Sequence, residues 1–347
     1  MNEVLVFFRV DASLKIGLGH VMRCLTLSEE LQRRGVKVIF ISAALEGNII
    51  QLINDRGIEV HPVVSNTLKV DYEQTKNVLN NYTSKYKVLI IDSYIHDVEW
   101  ETLIKRHADL LISIDDNPRF HNVDILIDNN YKAEMITFYK EYMLETKKLL
   151  GSPYVLVRSE FIDYRKKDIE QDLVVHIFFG GADYKNYTYL YSDKILRYIK
   201  KIKVHAVVSN TFSYEETLRK LKSQYGSRFE YSISPKNMAK VMENCRIALG
   251  APGTTTWERL AIGLPCAYLA TNSNQIPILR EIQNNKLGIY LGEATKETPL
   301  EQVQNFMQFI KNKDLQIEIA ENGKKLIDGK GSKRITDFII NTLQGRK

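Results

Sequence analysis

Short apolar runs alternate with helix-like stretches along the whole chain, and this alternation restricts the fold more than any other feature. In the first half the strand candidates are Val4–Phe8, Val36–Ile41, Val88–Ile91, Leu110–Ile114 and Val123–Ile127. Runs built almost wholly from Val, Ile, Leu and Phe suit strands covered on both faces, and so a parallel sheet flanked by helices. A helix around Arg23–Arg34, closed by Gly35, separates the first two. The second half repeats the pattern at Leu173–Phe179, Val204–Val208, Phe229–Tyr231, Ile247–Leu249 and Cys266–Leu269. Helices are expected near Asn186–Tyr198, Tyr214–Lys222, Pro235–Asn244 and Thr255–Ile262, with a helical tail over Leu300–Leu343.

A chain of 347 residues exceeds one ordinary core and predicts two domains. The alternation breaks at Gly151-Ser152-Pro153-Tyr154 and again in the charged stretch Asp163–Asp172. The expected organisation is an α/β domain over 1–155, a linker over 156–172, a second α/β domain over 173–330, and a helix over 331–347 that crosses back onto the first.

Charge and cysteine content exclude several classes. The 48 Lys and Arg against 42 Asp and Glu leave a net charge of +6, modest for this length and suited to an anionic metabolite. With no long basic run and no aromatic RNA-binding signature, nucleic acid is not an expected partner. Cys24, Cys245 and Cys266 stand far apart in apolar surroundings and read as buried thiols, neither a disulfide framework nor a zinc site. The N-terminus has no basic region and Arg9 interrupts its apolar run, so no signal peptide is expected. The apolar runs are too short to span a membrane. The expectation is a cytoplasmic monomer.

In a doubly wound sheet the functional loops follow the carboxyl ends of strands. Arg9–His20, Asp92–His96 and Asp115–Arg119 meet that condition. The richest is Gly17-x-Gly19-His20, which leads through Arg23 into a helix. Glycines let backbone approach a ligand, and a helix start favours an anion. His20 places a proton acceptor beside such a site, and Asp11, in the same loop, is placed to orient its ring. The second half adds Gly180-Gly181-Ala182-Asp183 and Gly250-Ala251-Pro252-Gly253-Thr254-Thr255-Thr256-Trp257-Glu258-Arg259. Three such loops facing a central cleft would suit a sugar-linked nucleoside diphosphate. A nicotinamide enzyme is disfavoured: Met22 stands where the dinucleotide fingerprint needs a small residue, and no acidic residue ends the second strand.

Other residues carry two readings each. Thr255-Thr256-Trp257-Glu258 fits a capping box, with Glu258 reaching back to the helix start, yet the carboxylate also suits two ribose hydroxyls. Asp92 either caps the following helix, with Tyr94 on the surface, or the segment turns Tyr94 toward a sugar. Asp115-Asp116-Asn117-Pro118 is a turn, or a magnesium pair without a third ligand. Asn272–Gln275 is a polar loop, or a source of amides for hydroxyl and acetamido groups. No hydroxyl is paired with a base, so covalent catalysis is disfavoured.

The stretch Arg9-x-Asp11-x-Ser13-x-x-Ile16-Gly17-x-Gly19-His20-Val21-Met22-Arg23-Cys24 closely resembles the opening motif of the UDP-2,4-diacetamido-2,4,6-trideoxy-β-L-altropyranose hydrolases of pseudaminic acid biosynthesis. Asp92-Ser93-Tyr94, Asp115-Asp116, Leu150–Phe161, Gly180–Asp183, Thr256-Trp257-Glu258 and Asn274-Gln275 resemble later segments of that family. A homologue acting in spore-coat polysaccharide synthesis fits as well. The resemblance implies a GT-B-like α/β fold and hydrolysis of a UDP-sugar without metal or cofactor. It implies His20 as catalyst, supported by Tyr94 and Asn274, with UDP on the second domain and Glu258 at the ribose. Gly17, Gly19, Arg23, Gly180, Gly181, Gly253, Thr254, Thr255 and Gln275 complete the expected substrate contacts. Pro252 departs from the family, which often has glycine there, and removes one N–H from the loop. Two other functions remain open: a GT-B glycosyltransferase with a UDP-sugar donor, and a nucleotide-sugar-binding protein without turnover.

Overall fold

The computed structural model describes residues 3–345 except Leu14, Ser65, 166–172, Ala182 and Thr298. The charged half of the expected linker, 166–172, thus lies outside the described residues. The chain divides into two compact units, Met1–Val157 with Lys330–Lys347, and Arg158–Gly329.

The first unit holds seven strands: β1 (Val4–Val10), β2 (Lys37–Ala43), β3 (Glu59–Val63), β4 (Tyr86–Asp92), β5 (Leu110–Ile114), β6 (Ile125–Asp128) and β7 (Lys147–Leu150). They form one parallel sheet in the order β3-β2-β1-β4-β5-β6-β7. The first and fourth strands lie side by side at its centre, where the winding reverses and loops on opposite sides of the sheet diverge. Val6, Phe8 and Val10 enter one core with the helices Gly19–Arg33 and Gly331–Gln344, whereas Leu5 and Phe7 enter another. This two-sided burial explains the unbroken apolar run of β1. The C-terminal helix is seated through Ile335, Ile339 and Leu343, and Arg34 Nη2 donates to Asp337 Oδ1 at 2.8 Å.

The second unit holds β8 (Val174–Phe178), β9 (Lys203–Val208), β10 (Phe229–Ile233), β11 (Ile247–Gly250), β12 (Cys266–Ala270) and β13 (Ile289–Glu293). Their order, β10-β9-β8-β11-β12-β13, repeats the same winding in parallel. Its switch point lies between β8 and β11.

Three strands have no counterpart in the sequence reading: β3, β7 and β13. All three are edge strands. Edges are half solvated, so Glu-Val-His-Pro-Val and Lys-Lys-Leu-Leu mix polar and apolar residues and do not read as core. The helix Gly19–Arg33 also begins several residues before the expected Arg23. His20 is therefore helical, and its side chain shares a face with Arg23 three residues on.

Candidate active site

The ladder between β1 and β4 assembles the centre of the first unit. Its last pair is Val10 with Asp92, which sets Asp92 beside the loop leaving β1. That loop closes on itself: Gly17 N donates to the Ser13 carbonyl at 2.9 Å, and Ile16 N to Ser13 Oγ at 3.0 Å. The closure needs φ of +82° at Gly17, a backbone region suited to glycine. Gly19, by contrast, is the first residue of the helix and has no positive φ.

His20 Nδ1 lies 2.5 Å from Asp92 Oδ1. Arg23 grips the same carboxylate, Nε donating to Oδ2 at 2.5 Å and Nη2 to Oδ1 at 2.6 Å. Burial pushes the Asp92 carboxyl up, but Arg23 and His20 pull it down to about 2. The ionised carboxylate can only accept, so Nδ1 carries a proton, and Nε2 is the nitrogen that accepts in the neutral imidazole. Arg23 Nη2, 3.2 Å from Nδ1, can only donate, and the shorter charged contact decides the tautomer. The His20 side chain is 13% exposed, so water can reach it. Tyr94 stands edge-on to the imidazole, ring centroids 4.8 Å apart, and donates its hydroxyl to Asp116 Oδ1 at 2.5 Å. Burial and Asp116 push the Tyr94 phenol well up, so it remains a donor. Asp116 Oδ2 also faces Arg23 Nη1 at 3.4 Å, which joins His20, Asp92, Arg23, Asp116 and Tyr94 into one network.

Three expectations change here. Asp11 does not orient His20: its Oδ1 accepts from Ala43 N at 2.7 Å and from Arg9 Nη1 at 2.5 Å, anchoring β1 to β2. The orienting carboxylate is Asp92, distant in sequence and adjacent through the sheet. Asp92 does not cap the next helix, since Asp97 accepts from Trp100 N there. Arg23, expected on the substrate, is turned onto Asp92, because a buried carboxylate needs a compensating cation. Beneath the site Arg9 is fully buried and bonds Asp71 through Nε at 3.1 Å, and His96 Nε2 meets Asp71 Oδ1 at 2.9 Å. Burial raises the Asp71 carboxyl, but His96 and Arg9 outweigh it and hold it far below the usual range.

The remaining acids at this sheet end are also engaged. Asp115 Oδ2 accepts from Arg119 Nε at 2.6 Å and Oδ1 from Asn117 N at 2.8 Å. Asp128, at the end of β6, accepts from Asn130 N and from the Tyr139 hydroxyl, both at 2.9 Å. Burial and the nearby Asp116 and Asp115 push Asp128 up to about 6 against those bonds. Among the described residues, no group of three or more His, Cys, Asp or Glu is arranged to hold a metal ion. All three cysteines are buried and free, as expected.

In the second unit, Gly180 and Gly181 follow β8, and Gly253 precedes the helix Thr254–Ile262, which begins with Thr254 and Thr255. Gly180 and Gly253 have φ of +96° and +142°. Thr256 caps this helix: its N donates to the Gly253 carbonyl at 2.9 Å, and its Oγ1 accepts from Gly253 N at 3.2 Å. The capping-box reading of Glu258 is thereby overturned, because Thr256 already occupies the reciprocal position. Glu258 Oε1 instead accepts from Arg158 Nε at 3.1 Å and Nη2 at 2.8 Å. Asn274 is exposed on a short turn, and Gln275 Oε1 accepts from Thr271 N at 2.8 Å. Sequence reasoning passed over Arg158 and Arg259 as partners in this unit. The Arg158-x-Glu160 motif was visible, but its link to Glu258 is tertiary.

These two units have the fold of GT-B proteins. The calicheamicin glycosyltransferase CalG4 matches with a TM-score of 0.67 at 12% identity, covering 99% of this chain and 98% of that one. Anabaena HepE, solved in complex with UDP, matches with a TM-score of 0.62 at 14% identity over 99% of this chain and 100% of that one. No family model matches the chain. Sequence relatives narrow the class. The UDP-2,4-diacetamido-2,4,6-trideoxy-β-L-altropyranose hydrolase of Campylobacter jejuni is 30% identical over 240 residues, 68% of this chain and 81% of that protein. The chain belongs to that hydrolase's family. The spore coat polysaccharide biosynthesis protein SpsG of Bacillus subtilis is 23% identical over 342 residues, 95% of this chain and 96% of that protein. An uncharacterized protein of Methanocaldococcus jannaschii is 27% identical over 277 residues, 76% of this chain. The chain matches about half of that relative, 55% of its length. No helix among the described residues is long and apolar enough to cross a membrane.

Proposed function

We propose that this protein hydrolyses a UDP-linked diacetamido-trideoxy sugar to UDP and the free sugar, by attack of water on the anomeric carbon. The observation that carries the reading is the 2.5 Å contact between His20 Nδ1 and the buried Asp92 carboxylate. It fixes the tautomer that leaves Nε2 basic. Nε2 accepts a proton from water as the water oxygen bonds to carbon, and the bond from carbon to the diphosphate oxygen breaks with its electron pair leaving on UDP. A single displacement of this kind inverts the anomeric centre. Proton removal by a positioned base contributes about 10²–10⁴-fold.

Asp92 and Arg23 act through His20, Tyr94 supports the chemistry from the first unit, and Asn274 supports it from the second. The second unit holds UDP: Gly180, Gly181, Gly253, Thr254 and Thr255 at the diphosphate, Glu258 at the ribose and Gln275 behind the late loop. Amides at a helix start stabilise the charge that develops on the departing diphosphate. The UDP complex of HepE, the name of the Campylobacter hydrolase and that of SpsG support a UDP-sugar-processing role in sugar biosynthesis.

The test is NMR of the protein with the UDP-diacetamido-trideoxy sugar, without metal or acceptor, in ¹⁸O water. Free sugar of inverted configuration, labelled at its anomeric hydroxyl, is expected. His20→Asn should lower kcat by about 10²-fold or more while UDP affinity is kept. Label in UDP, or near-normal turnover in His20→Asn, overturns this chemistry. Turnover that begins only when a sugar acceptor is added would make the protein a glycosyltransferase.

A further inference from the structure

The loops that leave β8 and β11 share a single support. Arg259, on the helix Thr254–Ile262, is fully buried. Helical side chains lean toward the helix N-terminus, and this one runs back beneath the loop that precedes its own helix. Nη1 donates to the Ala251 carbonyl at 3.1 Å and Nη2 to the Phe178 carbonyl at 3.2 Å. The guanidinium therefore ties together the two strands at the switch point. Gly250 permits the approach, since a Cβ there would stand 1.9 Å from the Phe178 carbonyl oxygen and 2.8 Å from Nη2.

What Arg259 lacks is a counter-ion. Among the described residues no carboxylate lies within ion-pair distance of it, and its Nε has no hydrogen-bond partner. Its neighbours supply no formal negative charge, and the nearest electrostatic partner is the face of the Tyr268 ring, 5.6 Å from the guanidinium carbon. Burial pushes the Cys266 thiol up to about 11. His176, with both ring nitrogens unpartnered, is held neutral by burial and by Arg259 itself. A guanidinium stays charged in a protein, and a buried charge without a partner is costly. Among the described residues the other fully buried arginine, Arg9, answers the carboxylates of Asp71 and Asp11. The loop above Arg259 is also short of donors, because Pro252 has no N–H.

We propose that Arg259 is a positioning residue for the diphosphate of a nucleoside diphosphate. It ties the two loops together from below, and its unanswered charge draws the anion to the start of the helix Thr254–Ile262. The ligand is the missing counter-ion. This rests on the assignment of UDP as the ligand of the second unit.

Two substitutions separate charge from scaffolding. Arg259→Lys keeps the charge with fewer hydrogen bonds, and Arg259→Gln keeps donors for the carbonyls without the charge. The readout is calorimetric affinity for UDP and, by competition, for uridine, which has no phosphate. Arg259→Gln should weaken UDP by about tenfold or more with uridine unchanged, and Arg259→Lys should weaken UDP by about threefold or less. Equal losses for UDP and uridine, or Gln matching Lys, would mean a scaffold only and would overturn the proposal. If Arg259→Gln fails to fold, Arg259→Lys decides alone: a loss of UDP affinity of about threefold or less supports the proposal, because the charge is kept, and a loss of about tenfold or more overturns it, because the carbonyl contacts and not the charge then carry the binding. A wild-type protein that binds no UDP overturns the functional assignment, and this proposal with it. Wild-type binding with equal losses of UDP and uridine in Arg259→Gln overturns this proposal alone.

Discussion

The two switch points of this molecule have the same backbone and opposite furnishing. In each sheet the first and fourth strands of the unit lie side by side, β1 with β4 and β8 with β11. At the first, the strand ends and the helix that follows carry Arg9, Asp11, His20, Arg23 and Asp92, and each charge meets an opposite one. At the second stand Gly180, Gly181, Gly250 and Gly253, three threonines and one buried arginine without a counter-ion. The scaffold does not account for the difference; under the proposed function the task does. Moving a proton needs a side chain whose tautomer and orientation are fixed, which takes a closed network of charges. Holding a polyanion needs bare amides and a charge left open, which takes glycine and an incomplete network.

The strongest way to break this contrast is to open the closed network. Asp92→Asn leaves Arg23 buried without its carboxylate and lets His20 turn. Removing one partner of a buried ion pair costs about 3–5 kcal/mol, and that loss should appear in denaturant unfolding. Turnover should fall further than the loss of fold explains, with kcat lowered at temperatures where the variant remains folded. Near-wild-type stability would mean that the first network tolerates an open charge as the second does, and the contrast would fail.

A second test uses pH. Asp128 is raised from 3.8 to about 6 by burial and by Asp116 and Asp115. A carboxyl bound more tightly to its proton when folded stabilises the chain below the unfolded value. That contribution is lost as pH rises through about 6. The raised value corresponds to at most about 3 kcal/mol. Asp92 acts in the opposite sense: lowered to about 2, it contributes stability above the unfolded value that is lost only as pH falls toward 2. Between pH 4 and 7 Asp128 therefore adds a declining contribution, against the rising one from His96, His176 and His205, which burial lowers, and Asp128→Asn should remove the Asp128 part. A slope unchanged in that variant would show that Asp128 is already ionised and that the acids of this sheet end are better balanced than their burial suggests.

How much of this was legible depended on distance along the chain and on position in the sheet. Central strands such as β1 and β5 were readable because burial on both faces writes them in Val, Ile, Leu and Phe. The edge strands β3, β7 and β13 were not, because solvent on one side admits Lys, Glu and Pro. His20 and Tyr94 stand out through their loops, but the sequence points to Asp11, the acid in the same loop, as the partner of His20. The parallel register that pairs Val10 with Asp92 is a tertiary fact, and no local pattern encodes it. The same holds for Arg259, which reads as one more helical arginine until Ala251 and Phe178 are seen to close over it.

The smallest expected effects fall within one helix and sharpen the contrast most finely. Thr256 and Glu258 lie near the start of Thr254–Ile262, where the sequence suggested a capping box closed by Glu258. Thr256 holds the Gly253 amide, whereas Glu258 holds Arg158 through Oε1 alone. Glu258→Gln should weaken UDP by about 1.5–3 kcal/mol, the usual worth of a hydrogen bond to a charged group. It should lower stability only slightly, because the Arg158 pair is partly exposed. Thr256→Val should do the reverse, costing about 1 kcal/mol of stability with UDP affinity intact. Calorimetry and thermal melts on the two variants together decide the matter. If Glu258→Gln loses stability and keeps its affinity, the helix start belongs wholly to the fold, and the second switch point binds its anion through Gly180, Gly253 and Arg259 without a ribose anchor.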